Sequence, residues 1–273
     1  MTLDRLLEYK DLTKAELKIL DYITKNPSRF LLTPINEAAK SLAISEATMS
    51  RFVRHVGFKD YKDFKHYIAS KTELAPPVVK MANTLSNEPF SVDSWFKRQS
   101  AYILQSLQSI NDEDIAKAID MIQKARQVYV FGKNSSYALA NMAIYRLRRI
   151  GIKIQALEGS IAEIIEGMAN IDSMDLVVYF AFNKLSNEAK MILNEAKKEV
   201  FKTNAITSRS FKPLRERADL ELVVYRGEER EYHSQASAVV LIDALALALS
   251  ESAGAKAFEV LERIHQLKKT YQK

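Results

Sequence analysis

From residue 127 onward one rhythm dominates the chain: a short apolar run, then a longer stretch with helical spacing. The apolar runs are Val128 to Phe131, Ile152 to Leu157, Leu176 to Phe182, Thr203 to Ile206 and Leu220 to Tyr225. Between them lie helical patterns at Ser136 to Ile150, Ile161 to Ala169 and Asn187 to Val200, with a short one near Pro213 to Arg217. Two more, about Ser234 to Ser252 and Lys256 to Lys268, close the chain. Short buried strands separated by helices imply a parallel, doubly wound sheet, because parallel neighbours need a crossover connection. Loops that leave such strands and open helices are where many α/β proteins hold an anion. The loop after Phe182 reads Asn183-Lys184-Leu185-Ser186; it has no glycine and carries a leucine and a lysine.

The first 71 residues have a different grammar. Thr13 can cap a helix, with Glu16 three residues on to complete a capping box; Leu17, Ile19, Leu20 and Ile23 follow, and Asn26-Pro27 ends it. A second helix follows Thr33-Pro34, with Ile35, Ala38, Ala39 and Leu42 at helical spacing. After the tight connection Ala43-Ile44, Ser45 caps a third helix whose apolar face is Met49, Phe52, Val53 and Val56, stopped by Gly57. Tyr61 to Ser70 adds a fourth. Residues 72–94 hold three of the six prolines and little periodicity, and this is the best place for a linker. The boundaries drawn are 1–75 for a helical domain, 76–94 for the linker and 95–273 for the α/β domain, whose helical patterns begin at Trp95 to Ser109 and Asp112 to Lys124.

Charge separates the two parts further. Of the net charge of +6, residues 40–71 carry +4, with seven Lys/Arg against Glu46, Asp60 and Asp63, whereas residues 1–39 balance. A local basic excess on a small helical unit suits a polyanion, and equally a solvated helical face. The chain has no cysteine, which excludes disulfides and thiolate metal sites. Its four histidines form no H-x-x-x-H pair, and no G-x-x-x-x-G-K-S/T occurs, so no metal and no cofactor is expected. The start, MTLDRLLEYKDL, lacks the apolar core of a signal peptide, and LIDALALALSESAG is interrupted by Asp243; a soluble, cytoplasmic protein is expected.

Thr33 to Val56 has helix–turn–helix proportions, in which the second helix enters the major groove. Glu46, Ala47, Ser50, Arg51 and Arg54 fall off its apolar face, while Ser45 and Thr48 near its start suit phosphate oxygens. Lys59, Tyr61 and Lys62 follow at once and could clamp the DNA backbone. A plain three-helix bundle with a polar face fits the periodicity as well.

The residues LTKAELKILDYITKNPSRFLLTPINEAAKSLAISEATMSRFVRHVGFKDYKDFK resemble the N-terminal domain of RpiR-type bacterial transcription regulators. The resemblance includes the L-T-x-x-E opening, the S-x-A-T-x-x-R-F recognition helix and the G-F-K-x-Y-x-D-F-K that follows. It implies operator DNA as a partner. The family couples that domain to a sugar isomerase (SIS) domain binding phosphorylated sugars. QVYVFGKNSSYALANMAIYRLRRIGIKI, DSMDLVVYFAF, NAITSRSFKPLRERADLELVV and SQASAVVLIDALALALS are similar to its segments. The implied fold is an all-α N-terminal helix-turn-helix domain followed by an α/β doubly wound parallel-sheet SIS domain.

The resemblance also implies ligand residues. After the first strand stand Gly132, Lys133, Asn134, Ser135 and Ser136; the two serines could donate to a phosphate, and Ser135 could equally be only a helix cap. The family's second loop reads S-x-S-G-x-T, against Ala181, Asn183, Lys184 and Ser186 here, so two hydroxyls and the glycine are gone. Asn183, Lys184 and Ser186 are the donors left. The last helix brings Ser234 and Gln235 where the family has S-R; Arg230 or His233 could replace that arginine. Glu231 and His233 are a conceivable acid–base pair, but the expectation is a regulator rather than an enzyme. It senses a small anionic effector, a sugar phosphate, as a homodimer or homotetramer. The alternatives are a scaffold-only SIS domain and a sugar-phosphate isomerase.

Overall fold

The computed structural model describes residues 12–71, 76–85, 90–182, 185–198, 201–208 and 217–271. The chain divides into two compact units. One is helical and comprises Met1–Lys97 with Gly227–His233; the other is α/β and comprises Arg98–Arg226 with Ser234–Lys273.

In the helical unit, α1 (Lys14–Lys25) opens on the capping box its sequence encodes: the Glu16 amide donates to Thr13 Oγ1 at 3.3 Å, and the Thr13 amide donates back to Glu16 Oε2 at 2.8 Å. Asn26 ends α1, yet Pro27 at once starts a further turn-and-a-half, α2 (Pro27–Leu32), which the sequence reading missed. Proline suits that position because the first helical amide has no partner to lose. Then come α3 (Ile35–Ser41), α4 (Glu46–His55) and α5 (Tyr61–Lys71). Ala43 turns the chain between α3 and α4 with φ +54°, and Gly57 leaves α4 at φ +84°.

The stretch expected to be aperiodic contains a helix, α6 (Pro76–Leu85), whose Ala82 joins the core of this unit. Two prolines in its first turn disguised it. The core centres on Phe64, ringed by Phe30, Phe52 and Phe58 with centroids 5.8, 5.6 and 5.1 Å away.

Helix α7 (Val92–Leu107) crosses the boundary at Lys97, and α8 (Asp112–Lys124) leads into the sheet. In chain order follow β1 (Val128–Gly132), α9 (Ser135–Arg149), β2 (Ile154–Ala156), α10 (Ile161–Met168), β3 (Leu176–Phe180), α11 (Asn187–Ala196), β4 (Lys202–Thr207), β5 (Leu220–Val223), α12 (Ala236–Ala253) and α13 (Ala255–Tyr271). The short helix expected near Pro213 to Arg217 lies outside the described residues, Arg217 apart.

All five strands are parallel, in the order β2-β1-β3-β4-β5, with Val128 opposite both Ile154 and Leu176. Alternate residues feed two cores: Val128, Val130, Leu176 and Val178 pack on the side of α9 and α12, and Tyr129, Phe131, Val177 and Tyr179 pack on the side of α10 and α11. Burial on both faces is why these runs read as continuously apolar. Helix α12 is long and apolar enough by composition to cross a membrane; one face packs in the core, and its Asp243 pairs with Arg146 at 2.8 Å.

Candidate functional site

Helix α4 is held from one side. Met49, Phe52 and Val53 are fully buried, and Ser45 caps it by accepting the Thr48 amide at 3.1 Å. That leaves Glu46, Ala47, Arg51 and Arg54 exposed on the opposite side, with Thr48 and Ser50 half-buried between. Arg51 lies along the helix, its Nε 3.3 Å from the Ala47 carbonyl, so its guanidinium is carried on the outer surface. The Ser45 and Thr48 hydroxyls sit 2.9 Å apart at the helix start, where an anion is favoured by the free amides and the helix dipole. Lys59 and Lys62 are also exposed.

Tyr61 is placed otherwise than as a DNA clamp. It is half-buried, its ring meets Phe30 edge-on at 5.5 Å, and its hydroxyl donates to the Thr33 carbonyl at 3.4 Å. Burial pushes its phenol well above the ordinary tyrosine range. Lys65 is also withdrawn from the basic surface. It is 1% exposed, and its ammonium donates to the Leu31 and Thr33 carbonyls at 3.0 and 2.6 Å, at the end of α2. Desolvation lowers its pKa to about 7. The motif lysine thus closes a helix end inside the core.

In the α/β unit the topological switch point lies between β1 and β3, and the loops at the strands' carboxyl ends converge there. Gln235 Nε2 reaches the Ser135 carbonyl at 3.4 Å, tying the start of α12 to the β1–α9 loop. Ser208, at the end of β4, donates to the Phe182 carbonyl at 2.7 Å. Arg226 joins the remaining pieces: its guanidinium lies 4.0 Å from the Phe182 ring centre, and its Nε donates to the Ser234 carbonyl at 2.8 Å. This buried arginine was not singled out from the sequence. It comes from the strand side of the segment that had drawn attention to Arg230 and His233, and only the fold reveals its closeness to the β3–α11 loop.

Gly132 is required here, since a Cβ would run into the Ser136 carbonyl. Asn134 takes φ +55° and ψ −123°, a conformation that strains any residue with a side chain. Ser135 is exposed and Ser136 buried, and Ser186 caps α11 by accepting the Ala189 amide at 3.2 Å. Asn183 and Lys184 lie outside the described residues.

Beside these loops is a cleft of about 630 Å³, lined by Phe131, Gly132, Lys133, Asn134, Tyr137, Glu158, Gly159, Glu163, Ile164 and Glu188. Lys133, one of the residues expected to meet the ligand, lines the cleft and is paired with Glu188 at 2.6 Å. Lys133 above all, helped by the nearby amide of Glu188 itself and the Ser186 hydroxyl, lowers the Glu188 carboxyl to about 2. Sequence reasoning missed Tyr137, Glu158, Glu163 and Glu188, because three ordinary helix residues and one loop carboxylate carry no signature until the sheet brings them together.

Glu231 and His233 belong to the helical unit and do not line the cleft. Glu231 lies 4.0 Å from Lys62. His233 has Nδ1 3.3 Å from the Lys80 ammonium and Nε2 2.9 Å from the Glu228 carbonyl, which fits the tautomer protonated at Nε2.

Two family models match the chain: "Helix-turn-helix domain, rpiR family" over residues 6–76 and "SIS domain" over residues 121–249. An uncharacterised HTH-type transcriptional regulator of Haemophilus influenzae is 28% identical over 220 residues, 79% of this chain and 76% of the relative. The HTH-type transcriptional regulator HexR of Escherichia coli is 24% identical over 267 residues, 95% of this chain and 91% of the relative. The solved structure of the Vibrio vulnificus NanR protein complexed with ManNAc-6P is 22% identical, with a TM-score of 0.59 and 98% of each chain covered. With a capped, one-sided α4 at its N-terminal end and a five-stranded parallel sheet carrying convergent loops at the other, the chain belongs to the RpiR family of transcriptional regulators, with a helix-turn-helix domain and a SIS domain.

Proposed function

We propose that this regulator reads operator DNA with α4 and that its SIS domain senses a phosphorylated sugar whose binding changes DNA affinity. The observation that carries the proposal is the convergence of the β1, β3, β4 and β5 loops through the Gln235–Ser135, Ser208–Phe182 and Arg226–Ser234 contacts. It sets the hydroxyls of Ser135 and Ser186 and the cation of Arg226 on loops tied to one another at the carboxyl ends of the sheet, which suits a phosphate. The neighbouring cleft has room for the sugar. The NanR complex with ManNAc-6P supports the same ligand class.

On the DNA side, Ser45, Thr48, Lys59 and Lys62 contact phosphates, and Glu46, Ala47, Ser50, Arg51 and Arg54 face base edges. The protein acts in the cytoplasm as a homo-oligomer. Val240 and Leu247 of α12, 45% and 72% exposed, support a second copy covering that helix. An isomerase is disfavoured because Glu231 and His233 are engaged by Lys62, Lys80 and the Glu228 carbonyl.

Selection of binding sites from a random duplex pool tests the reading. Enrichment of paired half-sites about one helical turn apart, or a multiple of it, is expected. Binding that depends only on salt and never on sequence overturns the DNA reading. Repeating the selected-site assay with a panel of sugar phosphates tests the sensor: no change in affinity across the panel leaves a scaffold domain instead.

A further inference from the structure

The cleft beside the convergent loops has an unexpected charge. Among the described residues its lining holds three carboxylates, Glu158, Glu163 and Glu188, and one cation, Lys133. Glu163 is committed locally, accepting the Ser160 amide at 2.7 Å in a capping box. Glu158 is exposed at the rim. Glu188 differs from both: it is only 7% exposed, its Oε1 takes the Lys133 ammonium, and its Oε2 is buried without a hydrogen-bond partner. An unpaired buried carboxylate oxygen is expensive to leave unsatisfied, and it can only accept.

We infer that the effector carries a free amino group, and that its ammonium donates to Glu188 Oε2 while the phosphate lies toward the convergent loops. The inference rests on the sugar-phosphate reading above and narrows it to amino-sugar phosphates with an unacylated nitrogen. An ammonium matches what the cleft lacks. It supplies N–H donors to Oε2, the oxygen that the Lys133 ammonium leaves unpartnered, and a positive charge to a lining whose carboxylates, among the described residues, outnumber its cation. A neutral hydroxyl satisfies the donor requirement but not the charge. An N-acetyl group offers one neutral N–H and buries an extra carbonyl among carboxylates. A phosphate turned into this end would meet the buried negative charge of Glu188 directly, which fixes the direction in which the ligand lies.

The test is calorimetry on the full chain with glucosamine 6-phosphate, glucose 6-phosphate and N-acetylglucosamine 6-phosphate as probes. Glucosamine 6-phosphate is expected to bind at least tenfold more tightly than the other two. In Glu188→Gln that preference is expected to fall to about twofold or less, because the amide keeps an acceptor and loses the charge. Equal affinity for all three probes overturns the inference and leaves the sugar-phosphate sensor standing. No binding of any probe overturns both. A preference that survives unchanged in Glu188→Gln also overturns the assignment to this residue. Should Glu188→Gln fail to fold, the wild-type ratio decides, supported by Glu158→Gln at the exposed rim, where a drop of a few-fold in the same ratio is expected.

Discussion

Lys65 makes the stability of the helical unit depend on pH in a window where few side chains titrate. Its ammonium is enclosed by Phe30, Tyr61 and the Leu31 and Thr33 carbonyls, with no carboxylate among its hydrogen-bond partners. Burial lowers its pKa from 10.5 to about 7. In the unfolded chain the lysine holds its proton up to about pH 10.4, so between the two values the unfolded state binds more protons and stability rises with pH. The contribution is fully present above the unfolded value and is lost as pH falls through the folded one. From pH 7.5 to 9.5 the linkage amounts to roughly 2–3 kcal/mol. For a unit of this size that is a rise in Tm of roughly 10–20 °C.

Trp95, the single tryptophan, lies in this unit with its ring 6.0 Å from that of Tyr232, and its fluorescence reports the transition. Lys65→Met is the comparison. It strands two carbonyls at about 1–3 kcal/mol each but removes the desolvated charge, so near pH 7 it is close to neutral. At pH 9.5 the wild type is the more stable protein. Parallel pH profiles for wild type and Lys65→Met would refute the reasoning.

Four further outcomes are expected. Ser45→Ala removes the cap on the Thr48 amide and lowers the stability of the helical unit by about 1 kcal/mol, read by the same fluorescence transition. Arg51→Ala leaves that transition in place and weakens selected-site binding by about 1–3 kcal/mol in a mobility-shift titration, since the side chain is exposed and off the core. Gly132→Ala drives a methyl into the Ser136 carbonyl and destabilises the SIS domain by about 1–3 kcal/mol, seen in the far-UV melt. Asn134→Gly goes the other way and raises that melt by about 1–2 kcal/mol of stability by relieving the positive φ, at the expense of ordering the cleft.

Much of the fold was legible because local rules and tertiary packing agree in it. The Thr13 and Ser45 caps, the stop at Gly57 and the five strands with their order of helices all follow from spacing. Where they were misread, one physical signal masked another. Pro27, Pro76 and Pro77 looked like breakers but stand in first turns, where proline is tolerated. Tyr61 looked like a surface group because polarity suggests exposure, yet it and Lys65 satisfy carbonyls at a helix end inside the core.

The loops after β1 and β3 were singled out through family resemblance, and in the fold Gly132 stands against the Ser136 carbonyl there while Ser186 caps α11. Neither resemblance nor periodicity could foresee that Lys133 on one loop would be claimed by Glu188 on α11, fifty-five residues away. That pairing exists only once β1 and β3 lie side by side.

The segment Gly227–His233 belongs to the helical unit although it is encoded between β5 and α12. Asn83 donates to the Arg230 carbonyl at 2.9 Å and Thr84 accepts the Tyr232 amide at 2.7 Å, so the segment satisfies groups on α6. A fragment ending near Lys97 therefore carries α4 but not the whole unit. On the ribosome the same fact becomes a delay. After Lys97 has been made, about 130 further residues, including all five strands, must be synthesised before the last piece arrives. At bacterial elongation speeds that is on the order of 7–25 s. The helical unit of the nascent chain is completed only after the strands of the SIS domain exist.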